Sequence, residues 1–142
     1  WGDWYEQGGL VLCDRYTTSN AVHQASKLSA EERDTFFRWL YEFEFGKLGL
    51  PKPDLVLYLD MPTGASVSLL RHREAATHTQ ADIHERDNAY LAACRETASH
   101  AADVLGWQRI PCTENGQVRT VEAIHQDVWN AVKRCLTETK PV

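Results

Sequence analysis

The sequence predicts an α/β protein in which helices pack on a parallel sheet. Two observations suggest strands. Short continuous apolar runs, Gly9 to Cys13 and Leu55 to Leu59, read as strands covered on both faces, as parallel strands are. The first run ends abruptly in Asp14-Arg15-Tyr16, followed by small hydroxylated residues and Asn20. A buried parallel strand delivers polar side chains to the carboxyl edge of its sheet in this way, and ligands of open α/β folds bind at that edge. The third observation is that helical spacing and cap signals lie between the runs. Strands alternating with helices build a parallel sheet.

Taken in order, Trp1 to Gln7 reads as the tail of a helix stopped by Gly8-Gly9. Leu10 to Cys13 is the first strand, and Cys13 is read as a small core residue. Ser19 or Asn20 can cap a short helix running to about Leu28. Ser29 with Glu32 forms a capping box that opens a helix to about Lys47. Phe36, Phe37, Leu40, Phe43 and Leu48 recur there at helical spacing, with Trp39 and Tyr41 beside them, which is more aromatic surface than one face needs. Pro51 and Pro53 cannot continue a helix. Leu55 to Leu59 is the central strand, and Thr63 can cap a helix to about Arg73. Glu74 to Ala81 is polar and reads as a loop. Asp82 to Leu105 reads as a helix with Tyr90 and Leu91 inward, stopped by Gly106. Trp107 to Pro111 is a last strand, and Cys112 to Arg119 a loop around Asn115-Gly116. Thr120 caps a final amphipathic helix with Val121, Ile124, Val128, Ala131, Val132 and Cys135 as its stripe.

The 142 residues fit a single domain with a real core. A net charge of -5 gives no bulk attraction to nucleic acid or membrane surfaces. No apolar run approaches the roughly 18 residues of a membrane span. Cys13, Cys94, Cys112 and Cys135 are scattered, without a Cys-x-x-Cys pair, which argues against zinc and for reduced thiols in the cytoplasm.

Arg15 is a natural phosphate ligand, because its planar fork matches phosphate oxygens; the competing role is an ion pair with a carboxylate. Asp14 can steer that Arg or meet a metal. Asn20 and Gln24 each offer a donor and an acceptor to the edge of a base, and a helix cap is compatible with that for Asn20.

Three blocks resemble the thymidylate kinase family in order and rough spacing. They are Asp14-Arg15-Tyr16-Thr17-Thr18-Ser19-Asn20-Ala21-Val22-His23-Gln24, then Phe45 to Asp54 with the strand after it, then Asp82-Ile83-His84-Glu85 opening a helix with Tyr90 and Leu91. The resemblance runs from about Gly9 to the last helix. It implies a three-layer parallel sheet of P-loop kinase type. It also implies transfer of a phosphoryl group from ATP to dTMP, giving dTDP and ADP in dTTP biosynthesis, with Mg2+, in a cytoplasmic homodimer.

By that resemblance residues 14–24 form the acceptor site, with Arg15 on the monophosphate and Ser19, Asn20 and Gln24 at the base. A thymine ring presents one N–H and two carbonyls, so a side-chain amide can pair with it in two directions. His23 stands where the family often has an aromatic and would stack on the base or line the sugar pocket. Residues 71–87 would form the lid, with Arg71, Arg73 and Arg86 as phosphate ligands. Arg73, Arg15 and Asp14 would be the catalytic residues. Asp82, His84 and Glu85 would face the acceptor's sugar and phosphate. No metal ligand is assigned.

The family's Gly-Lys-Ser/Thr phosphate loop does not occur in these 142 residues. The expectation is that an amino-terminal βαβ portion is lacking and that these residues alone do not turn over ATP. Two alternatives stand beside this reading: a nucleoside or nucleotide kinase with another acceptor, and a non-catalytic nucleotide-binding fragment.

Overall fold

The computed structural model describes residues 1–77 and 88–138, the side chains of residues 73–77 excepted. Its order is α1 (Gly2–Glu6), α2 (Thr18–Ala25), α3 (Ala30–Tyr41), a π-helical turn (Glu42–Lys47), β1 (Leu57–Asp60), α4 (Thr63–Thr77), α5 (Asn88–Leu105), β2 (Gln108–Pro111), β3 (Thr113–Glu114), β4 (Gln117–Val118) and α6 (Val121–Glu138). β1 and β2 pair in parallel, Leu57 opposite Gln108 and Asp60 opposite Pro111, so both strands end at the same edge. This mixed architecture with a parallel pair bears out the α/β class; the ladders of the described residues are this pair and a small hairpin.

The core lies where α2, α3 and α5 meet the start of β2. Ala21, Ala25, Phe37, Leu40, Ala101, Ala102 and Trp107 form one buried cluster, with Val56 and Tyr58 packed on it. Small side chains explain the arrangement. Alanines on α2 and α5 let the two backbones approach, and Phe37 fills the space α3 leaves, with no measurable exposure.

Segment 10–13 departs from its expected form. Its apolar residues form no regular element and belong to no ladder; Leu12 is 91% exposed and Cys13 is exposed as well. A strand needs a neighbour to bond its N–H and C=O groups. Among the described residues the one side-chain bond to this stretch is Trp4 Nε1–H donating to the Leu10 carbonyl at 3.3 Å. Cys13 is therefore a surface residue here, whereas Cys94 and Cys112 are buried.

Other boundaries move for local reasons. α2 begins at Thr18, and its N-cap, Thr17, is helical in conformation, so neither Ser19 nor Asn20 caps it. The aromatic helix is α-helical only to Tyr41 and then widens into the π turn. α4 starts at Thr63 itself, with the Ser66 N–H bonded to the Pro62 carbonyl, and runs on to Thr77, through the first part of the expected loop. The segment 112–119 is not all loop: β3 and β4 pair across Asn115-Gly116, whose φ values of 51° and 78° fit a tight hairpin turn. Thr120 caps α6 as expected, its Oγ1 accepting from the Ala123 N–H at 3.2 Å.

The capping box is present. Glu32 accepts from the Ser29 N–H at 3.1 Å and from the Ser29 hydroxyl at 2.8 Å. These bonds hold the Glu32 carboxyl below its ordinary pKa. Such a group stabilises the fold fully above its unfolded pKa, and that share fades as pH falls through the lower folded value. Ser29→Ala is expected to cost about 1 kcal/mol at neutral pH. It is also expected to flatten the loss of stability below about pH 4.5, as urea titrations at several pH values would show.

Candidate functional site

α2 carries most of the predicted site. Its buried face is Ala21 and Ala25, which turns Ser19, Asn20, His23 and Gln24 toward other surroundings. Just before it, Arg15 sits in the left-handed region at φ 65°, a conformation that costs a non-glycine residue about 1 kcal/mol or more. The guanidinium of Arg15 is exposed and donates through Nη1 to His23 Nε2 at 3.5 Å. A guanidinium can only donate, so Nε2 is the acceptor in this contact and the ring proton belongs on Nδ1. The described residues show no Arg15–Asp14 ion pair, and Asp14 is exposed.

His23 is tied to α5. Its Nδ1 lies 3.0 Å from the Tyr90 hydroxyl, and the two rings stack at 6.2 Å with 24° between planes. Cys94 Sγ lies 3.7 Å from the same nitrogen and donates to the Ser26 hydroxyl. The Cys94 contact, then burial, raises the Tyr90 phenol above its ordinary pKa, so it stays protonated at neutral pH.

Asn20 is tied to the π turn. Its Nδ2 donates to Glu44 Oε1 at 2.9 Å, and Glu44 is 6% exposed. Tyr16 donates to the Pro51 carbonyl at 3.3 Å. Burial, aided by Cys13 and Glu44, pushes the Tyr16 phenol up, which keeps this donor in place. Three stretches well apart in sequence, 14–24, 44–51 and 90–94, thus converge through side-chain hydrogen bonds.

Of the predicted residues, Arg15, Asn20 and His23 join this assembly. Gln24 accepts from Lys27 at its margin and Ser19 is partly buried on α2. Arg71 is exposed on α4. Asp82, His84, Glu85, Arg86 and the Arg73 side chain lie outside the described residues. Glu44, Tyr90 and Cys94 were not among the candidates. A signal for Glu44 existed: it continues the buried stripe of Phe37 and Leu40 at helical spacing, where an acid needs a partner.

A second polar group stands at the carboxyl end of β1, where Asp60 accepts from Arg95 at 2.9 Å. A cleft of about 540 Å³ beside α5 is lined by Arg33, Arg95, Ser99 and His100. Its arginines are already matched, Arg33 with Glu96 and Arg95 with Asp60, so it offers an anion little free charge.

A mixed α/β chain with parallel strands, and with an arginine, an amide and a stacked imidazole on and just before one short helix, is consistent with a kinase-like fold. Comparison with known proteins narrows this class. The chain is 33% identical over 134 residues to a thymidylate kinase of Thermomicrobium roseum, covering 91% of this chain and 58% of that protein. It is 34% identical over 79 residues to a thymidylate kinase of Mycobacterium tuberculosis, covering 55% and 37%. A thymidylate kinase of Thermosynechococcus vestitus is 29% identical over 108 residues, covering 74% and 41%. No family model and no solved structure matches. The chain is a relative of the thymidylate kinase family and spans about half the length of these relatives, or less. No helix of the described residues is long and apolar enough to cross a membrane.

Proposed function

We propose that this chain, as one domain, supplies the acceptor side of a thymidylate kinase, an enzyme moving the γ-phosphoryl group of ATP to dTMP and releasing dTDP and ADP in dTTP synthesis in the cytoplasm. The observation that carries the reading is that the first block is tied to the second by Tyr16–Pro51, to Glu44 just ahead of the second by Asn20, and to Tyr90 on the helix of the third by His23.

Phosphoryl transfer asks a protein mainly for positioning and for charge against the phosphate oxygens. Arg15 would bind the acceptor monophosphate through its fork, with His23 holding the guanidinium and lining the sugar pocket. Asn20 would read the base, supported by Ser19 and Gln24, and Asp14 would steer Arg15. Arg71, Arg73 and Arg86 would meet the triphosphate, with Asp82, His84 and Glu85 on the acceptor side. Mg2+ would enter as the companion of ATP. The exposed Trp39 and Phe43 rings, stacked at 5.4 Å, support a homodimer contact on that face.

Isothermal titration with nucleoside monophosphates tests the reading. Micromolar binding of dTMP, weaker for uridine monophosphate, is the expected result. No binding of any deoxynucleoside monophosphate overturns it.

A further inference from the structure

We infer that Glu44 is a specificity-determining positioning residue, which locks the amide of Asn20 so that the site accepts one hydrogen-bond pattern of a pyrimidine and rejects its mirror. The inference rests on the proposed acceptor site and goes beyond it by naming what sets the direction of the amide.

An Asn side chain has an acceptor end and a donor end, nearly equal in shape, and turning it over by 180° exchanges them. Thymine presents an N3–H donor beside the O4 acceptor. Cytosine presents an N3 acceptor beside the N4 amino donor. At one and the same base position a freely turning carboxamide matches both, so an unrestrained Asn20 would discriminate poorly between them.

Glu44 removes that freedom. A carboxylate only accepts, so the Asn20 atom 2.9 Å from Oε1 must be the donor Nδ2. The reversed amide would set Oδ1 against the carboxylate, losing the bond and facing two acceptors. Glu44 is 6% exposed, and among the described residues no Lys or Arg pairs with it. A buried acid in that position depends on the bond it has, so reversal is costly. The backbone that carries the carboxylate is itself held, since it lies in the π turn and the Leu50 N–H bonds to the Glu44 main-chain carbonyl at 3.0 Å. The exposed Asn20 therefore offers Oδ1 in a fixed place, as an acceptor for a ring N–H.

The test is binding of dTMP, dUMP and dCMP to the full protein and to its Glu44→Gln variant, which keeps the shape but can donate as well as accept. The dTMP over dCMP preference is expected to fall about tenfold. The dTMP over dUMP preference is expected to stay put, because both bases carry the same imide edge. Equal weakening of all three ligands, or an unchanged dTMP over dCMP ratio, overturns the role of Glu44 while leaving the acceptor site standing. A wild-type protein that binds none of the three overturns the acceptor site, and the lock with it. Independently of ligand and of variant folding, the Asn20 side-chain amide in the unliganded protein should show one NMR proton shifted downfield and protected from exchange. Two solvent-like protons there overturn the lock.

Discussion

Replacing Arg15 by Ala is expected to weaken dTMP binding by roughly 10- to 100-fold while leaving stability nearly unchanged, as hydrogen bonds to charged groups contribute about 1.5–3 kcal/mol each. The guanidinium is exposed and its recorded side-chain partner is His23, so the fold loses one long contact at most. Arg15→Lys is expected to fall between, keeping the charge but losing the fork. Arg15→Gly is an informative companion, because glycine adopts φ 65° without strain. It should lose binding as Ala does and unfold no more readily than the parent. Titration calorimetry and a urea melt on the same samples separate the two effects. A dissociation constant within twofold of the parent in Arg15→Ala would remove Arg15 from the phosphate site.

Phe37→Ala is expected to be the most damaging single truncation, at about 3–5 kcal/mol. Phe37 is the largest of the fully buried side chains and belongs to the cluster joining α2, α3 and α5. That loss is a large fraction of the roughly 5–15 kcal/mol by which domains are stable. In urea the midpoint should drop sharply with the slope retained. Leu12→Ala, at a residue 91% exposed, should stay within about 0.5 kcal/mol. A reversal of this order would mean that the core lies elsewhere.

Much of this was legible in the chain because short-range rules decide it. The Ser29 box, the stop at Gly106, and the strands ending at Asp60 and Pro111 follow from caps, positive φ and apolar runs. That Arg15, Asn20 and His23 join one hydrogen-bonded assembly follows in part from their lying within nine residues of sequence. What was not legible depends on neighbours. Segment 10–13 has a strand's composition, but pairing belongs to a partner and not to the segment. The π turn shifts the helical register by a wider loop of backbone that side-chain spacing alone does not announce. Tyr90 and Cys94 reach His23 from some 70 residues away, so only tertiary packing of α5 on α2 brings them to the site.

The parallel pairing of β1 with β2 also sets an order of events as the chain is made. Leu57 must wait for Gln108, about 50 residues later, before its ladder can close. At ribosomal speeds of about 5–20 residues per second that wait lasts roughly 3–10 s. Contacts between α2 and α3 are local and can form in the meantime, whereas the long-range ladder has to pay loop-closure entropy first. β1, with Leu59 half-exposed even in the finished fold, is thus the segment that a nascent chain most needs to keep from meeting its neighbours.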